Sequence, residues 1–451
     1  MGQWNGPWFC GAQSEECYMK LIVVVAAVVS SASGLCLGQS MFRGDPAHSG
    51  IYSGTAPRQF HRVKWKFATG ERIVSSPVIE GKTIYFGSDD ANVYAVDAES
   101  GRQIWKRTTG GPVPATPAIA NGILYVGSYD GKFYALDAQT GAMKWKFATE
   151  GERRFEAKGL NGLQPKNQTM ADPFDVFLSS PVVVKDTVYF GSGDGNLYAL
   201  DAATDELRWK FKTSDVVHAS PAYSDGVLFV GSWDSYFYAV DAATGKEKWR
   251  FHGGEDPQIH NQVGFQSSPT VVDGVVYTGC RDSNLYAFDA ATGQEKWRFF
   301  NDLSWVVTSP AVMQGKVFFA TSDSSLYHVA DAATGKSILK KDAKAYMFSS
   351  PAIVNDVALI GVLNGTLQAR DVSSGEVLWE FQTDASKQNK GWVLTADRKF
   401  NDPLLYHSNW REVPTVGTDK QMSVGSIFSS PLVANGIVYF GSTDGFLYAI
   451  E

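Results

Sequence analysis

The chain has 451 residues, of which 40 are Lys or Arg and 47 are Asp or Glu, so its formal charge of −7 provides no basic field to collect phosphates. Nucleic acid is therefore excluded as an expected partner. Hydrophobic residues make up 44% and charged ones 19%, the balance of a globular chain with a large core, while 44 Gly and 13% aromatics point to turn-rich β structure.

Taken in chain order, residues 1–38 read as an upstream extension followed by an export leader. Met19-Lys20, the apolar run Leu21 to Val29 and the small residues after it form a charged start, a short apolar stretch and a cleavable exit. The run is shorter than the roughly 20 apolar residues needed to span a bilayer. Translation is expected to start at Met19, because Glu15 and Glu16 are unusual ahead of such a leader. A lipid-modified Cys36 would want a Leu-like residue three positions earlier and a small one directly before it, whereas Ser33 and Leu35 stand there. The expectation is a soluble, monomeric protein exported to the periplasm or beyond, not a lipoprotein, with no membrane span left after cleavage. If the cut follows Gly38, Cys280 is the one cysteine left and no intrachain disulfide can form.

Residues 39–57 form a lead-in, and 58–451 are built from one repeated pattern: Ser-Ser-Pro, an apolar stretch, Tyr-Phe-Gly-Ser-x-Asp-Gly, then Leu-Tyr-Ala-x-Asp-Ala-x-Thr-Gly and a Trp. Its prolines fall at 77, 117, 181, 221, 269, 310, 351 and 431, which makes eight repeats. Alternation of period two, as in Thr83-Ile84-Tyr85-Phe86, and the absence of helical spacing indicate short antiparallel strands. Asp130-Gly131, Asp194-Gly195 and Asp444-Gly445 mark tight turns between second and third strands.

The Trp recurs as Trp105, Trp145, Trp209, Trp249, Trp297 and Trp379, with Leu339 in the sixth repeat, and is assigned to packing between neighbouring units. The eighth repeat ends at Tyr448-Ala449-Ile450-Glu451, before its fourth strand. Lys64-Trp65-Lys66-Phe67-Ala68-Thr69 matches Lys144-Trp145-Lys146-Phe147-Ala148-Thr149 letter for letter, so the N-terminal strand is expected to complete the last unit and close a ring without long free edges.

Ala-x-Asp-x-x-Thr-Gly-x-x-x-Trp, repeated over residues 63–451, resembles the tryptophan-docking motif of the pyrroloquinoline-quinone-like (PQQ-like) eight-bladed β-propellers. The resemblance implies an all-β fold of eight four-stranded antiparallel blades, with Trp65 and the six other tryptophans as docking residues. It also implies one of two roles: a non-catalytic scaffold like the outer-membrane assembly factor BamB, or a quinoprotein alcohol or sugar dehydrogenase. Asp205 in place of Gly and Leu339 in place of Trp depart from the motif.

Three insertions, near 151–175, 253–264 and 383–425, fall in connections between blades and so belong to one mouth of the ring. Arg153, Arg154, His260, Trp392, Arg398 and Trp410 are their candidate ligand-binding residues, because Trp gives a stacking face and Arg bidentate bonds to carboxylates. Trp233 and Arg281, at turn tips, are candidates for reaching a ligand over the axis. Three residues before the repeat prolines, His218 and Gln266 are the two polar positions of eight, so they are expected to line the axial channel, His218 either as an acid or base or, the preferred reading, as a histidine bonded to Gln266 or to water. Long loops also carry such side chains merely to pack against one another.

Adjacent cysteines, a haem-attachment motif, zinc spacing, a phosphate loop and a nucleophile elbow are all missing. The expectation is a non-catalytic exported propeller that binds a protein partner or a small-molecule or glycan ligand at the insertion-bearing face. A dehydrogenase using PQQ with Ca²⁺ is the alternative, and a carbohydrate-active enzyme a third.

Overall fold

The computed structural model describes residues 39–160, 167–255, 263–406 and 416–451. They form eight four-stranded antiparallel sheets, each built of sequence-adjacent strands apart from the last. In the first blade the strands are Val78–Glu80, Thr83–Ser88, Asn92–Asp97 and Gln103–Thr108. The two middle strands are buried almost throughout because neighbouring blades cover both their faces, which is why they read as unbroken apolar and aromatic runs. The fourth strand is exposed except at its Trp.

The last sheet takes its outer strand from the start of the repeat region: Val63–Ala68 pairs antiparallel with Phe446–Ile450, with Trp65 opposite Ala449. This exchange closes the ring, as expected.

Each docking indole donates to a backbone carbonyl of the following blade, in the Asp-Ala-x-x-Gly turn. Trp65 reaches Ala98 at 3.0 Å, Trp105 reaches Ala138 at 2.9 Å and Trp145 reaches Ala202 at 3.1 Å. Trp209, Trp249 and Trp297 repeat this on Ala242, Ala290 and Ala332. The last blade has no such turn, and Trp379 donates instead to Pro57 of the lead-in at 2.8 Å. The turn glycine lies flat under the ring: a Cβ on Gly101, where φ is +69°, would sit 2.6 Å from the Trp65 ring.

A second device runs around the axis. At seven of the eight repeat prolines, the hydroxyl of the residue before the Pro accepts the backbone N–H of its counterpart in the preceding blade, as in Ser76 to Thr116, Ser180 to Ser220 and Ser430 to Ser76. Seven such bonds of 2.8–3.1 Å link the blades. The Ser-Ser-Pro element is thus an inter-blade hydrogen-bond ring, which the repeat displayed but did not explain.

The lead-in crosses the axis at the far ends of the inner strands. Its carbonyls at Gln39, Ser40, Pro46, Ala47 and Gly50 accept from Ile79, Ile119, Tyr223, Val271 and Ile353. Buried Arg43 donates to the carbonyls of Pro351 at 2.6 Å and Pro310 at 2.7 Å.

The third insertion departs from the all-strand expectation. It contains α1 (Asp384–Gln388), α2 (Asp402–Tyr406) and α3 (Thr418–Met422). No helix among the described residues is long and apolar enough to cross a membrane. The expected leader lies outside the described residues.

Candidate functional site

The first insertion folds as a strap over the axial mouth. Its hairpin pairs Glu156–Lys158 with Thr169–Ala171, and the chain on either side of it supplies three carboxylates, Glu152, Asp172 and Asp175. All three turn inward onto side chains of the propeller.

His218 takes two of them. Its Nδ1 lies 2.7 Å from Oδ1 of Asp175 and its Nε2 2.9 Å from Oε1 of Glu152, and none of these side chains is more than slightly exposed. Burial pulls the imidazole pKa down, but the Asp175 charge and the hydrogen bonds to Asp175 and Glu152 override it and carry the value up to about 10. His218 is therefore an imidazolium at neutral pH and donates to both carboxylates. Glu152 also accepts from the backbone N–H of Gly193 at 2.6 Å, and Asp175 from that of Phe155 at 2.7 Å. The expected His218–Gln266 bond is not formed, because two anionic acceptors outcompete one amide.

Gln266 serves Arg281 instead, accepting from its Nε at 3.0 Å and its Nη2 at 2.8 Å, while its own amide donates to the Phe174 carbonyl at 2.8 Å. Arg281 is 0% exposed and forms an ion pair with Asp172. Its guanidinium lies between two indoles, 4.2 Å from the Trp233 ring centre and 4.3 Å from that of Trp305. Phe155 of the strap stacks on Trp233, with ring centres 4.6 Å apart. Trp233 and Arg281 are covered by the chain's own strap and neither reaches solvent.

Beneath the strap the axis holds a cavity of about 40 Å³ lined by Phe177 and His218 on one side and Phe42 of the lead-in on the other. Ligand pockets begin at roughly 300 Å³. Pyrroloquinoline quinone does not fit at the axis: the faces of Trp233 on which it could stack are taken by the Arg281 guanidinium and Phe155, and the carboxylates able to join a Ca²⁺ are engaged by His218 and Arg281.

The other insertion residues are dispersed. Arg153 is exposed and pairs with Asp215 at 2.7 Å. Arg154 is half-buried, with its guanidinium 5.9 Å from the Tyr129 ring centre. Arg398 donates to the Ser386 hydroxyl at 3.2 Å and faces Glu380 at 3.5 Å, tying the third insertion to its blade. Trp392 is 61% exposed, the most exposed of the large hydrophobic side chains described. His260 and Trp410, with His407, lie outside the described residues. Glu152, Asp172, Asp175 and Trp305 are the site members that sequence reasoning missed. The available signal was that a polar axial His and a turn-tip Arg both needed anions, and the adjacent insertion held them.

The family model described as outer membrane protein assembly factor BamB matches residues 58–159, 162–301 and 281–400. Among solved structures, BamB from Moraxella catarrhalis superposes with a TM-score of 0.63 at 16% identity, covering 86% of this chain and 99% of that one. A europium-containing methanol dehydrogenase gives 0.64 at 16% identity, covering 92% and 98%. Quinohemoprotein alcohol dehydrogenase from Comamonas testosteroni gives 0.65 at 14% identity, covering 92% and 80%. These identities speak to fold alone, and no curated protein matches the chain in sequence. From its repeats, its closed eight-bladed ring and the extent of the family match, the chain belongs to the PQQ-like propeller family described by BamB.

Proposed function

We propose that this protein is a non-catalytic exported scaffold that engages a partner protein through the outer surface of its insertion-bearing face. The observation that carries the reading is the filled axis, where Asp172 closes Arg281 between Trp233 and Trp305. At the axis, the aromatic and cationic groups able to build a small-molecule pocket are consumed in seating the strap, so that binding falls to the outer side of this face. Trp392 gives that surface an exposed aromatic anchor of the kind enriched at interface centres. Leader sequence and family membership support export. Neither the quinoprotein nor the carbohydrate-enzyme reading has a specific observation in its favour at the axis.

The test is site-specific photo-crosslinking in the source cell. A photoreactive residue at position 392 is expected to give a discrete adduct with one partner, and none is expected at Ser224, which lies in an inner strand close to the lead-in. Adducts absent at 392, or equally abundant at both positions, would overturn the reading.

A further inference from the structure

Off the axis, the strap and the third insertion enclose a cleft of about 350 Å³. Met170, Pro173 and Val176 of the strap and Met422 of α3 give it apolar walls, and Arg72 and Arg154 line it too. Its size lies at the lower end of the range for ligand pockets, roughly 300–1,000 Å³, and unlike the axial cavity it is not filled by its own side chains.

The two guanidiniums differ. Arg72 is already neutralised, with Nε on the Asp89 carboxylate at 2.5 Å and an Nη donating to the Met422 sulfur at 2.9 Å. Arg154 is half-buried, leans on the Tyr129 ring, hydrogen-bonds with the Tyr129 hydroxyl and feels the Asp89 charge, yet it forms no ion pair within contact distance among the described residues. The other arginine of this turn, Arg153, has Asp215. A half-buried guanidinium that shares the field of Asp89 with Arg72, and has no carboxylate of its own in contact, keeps N–H donors for a further carboxylate, and apolar walls beside it strengthen that bond by excluding water. Asp419 is the acidic residue of the lining, and it is exposed.

We infer that this cleft binds an organic carboxylate carried on an apolar stem, the carboxylate on Arg154 and the stem between Met170, Pro173, Val176 and Met422. This deepens the scaffold reading by naming what the face recognises, and it rests on that reading. The chemistry is shared by a fatty carboxylate and by the C-terminal carboxylate of a chain ending in apolar residues.

The test is calorimetric titration of the full chain with two matched pairs: octanoate against octanamide, and acetyl-Leu-Phe with a free terminus against its amide. At least one acid is expected to bind saturably at roughly millimolar concentration or below, with its amide at least tenfold weaker. Arg154→Ala should weaken the acid roughly tenfold or more, and Arg154→Lys by less, since a point charge keeps attraction but loses the bidentate fork. Should Arg154→Ala fail to fold, Met170→Glu, which sets a carboxylate in the cleft, is expected to abolish binding. Octanoate alone binding identifies a free small molecule as the source, and the peptide acid alone identifies a chain terminus; either supports the inference. Acid and amide binding alike, neither acid binding, or unchanged affinity in Arg154→Ala would overturn it. A crosslink at position 392 with no carboxylate binding would leave the scaffold role standing and remove only this inference.

Discussion

Nδ1 of His218 lies 2.7 Å from Oδ1 of Asp175, a contact that joins the segment leading into the inner strand of one blade to a strap 43 residues earlier in the chain. With Glu152 on the other ring nitrogen it latches the first insertion over the axis. Replacing His218 by Ala leaves two buried carboxylates unpaired, and about 3–5 kcal/mol of stability should be lost, read as a lower denaturant midpoint.

The same latch has a definite pH signature. The folded pKa of His218, about 10, lies above its ordinary value near 6.5, so the latch is at full strength below about 6.5 and its contribution fades as pH rises through about 10. The stability difference between wild type and His218→Gln should therefore shrink on going from pH 6 to pH 10. His328 works in the opposite sense. Burial, with help from Lys340, holds it down to about 4, and neither of its nitrogens has a hydrogen-bond partner among the described residues. His328→Phe should remove a loss of stability that sets in as pH falls below about 6.5 towards 4. Melting curves of the three proteins across that range check both signs.

At Arg281 the pair with Asp172 is buried, so removing one member should cost more than removing both. Arg281→Met alone is expected to lose about 3–5 kcal/mol, and the double variant with Asp172→Asn to recover a large part of it. Trp233 contributes only its faces: its buried Nε1 has no partner among the described residues. Trp233→Phe should accordingly change stability by no more than about 1 kcal/mol, whereas Trp233→Ala should cost about 3–5 kcal/mol. Chemical denaturation of this set separates packing from charge.

The blade junctions that depart from the motif give paired outcomes. Asp205 occupies the turn position with φ +67°, the conformation that glycine adopts in the neighbouring blades, so Asp205→Gly should stabilise by about 1 kcal/mol. Gly101→Ala forces a Cβ into the Trp65 ring and should cost more than 1 kcal/mol. Leu339 packs on Gly375 where other blades carry the indole, and Leu339→Trp is expected to raise the melting temperature by restoring the missing donor.

The ring was legible because it is written eight times. Trp65, set beside the truncated end at Ile450, was enough to predict the closing strand, and the Asp-Ala-x-x-Gly turn already held both the acceptor and the glycine on which the next indole lies. The site was legible only in part, because its members do not repeat. His218 and Gln266 stood out as polar among apolar counterparts, and Arg281 as a charged turn tip, but their partners come from one insertion at separations of 43 to 109 residues. No spacing rule reaches Asp172 or Asp175 across such distances. The helices escaped notice for another reason: at five residues, α1 is too short to show a period and depends on Thr383, whose side chain accepts from the Ser386 N–H.

The central claim is that the strap occupies the axial mouth and leaves the protein to act through its outer face. Titrating the full chain with pyrroloquinoline quinone and Ca²⁺, while following absorbance and melting temperature, tests it most directly. No saturable change is predicted up to high micromolar quinone. A saturable rise in melting temperature that disappears in Arg281→Ala would contradict the account.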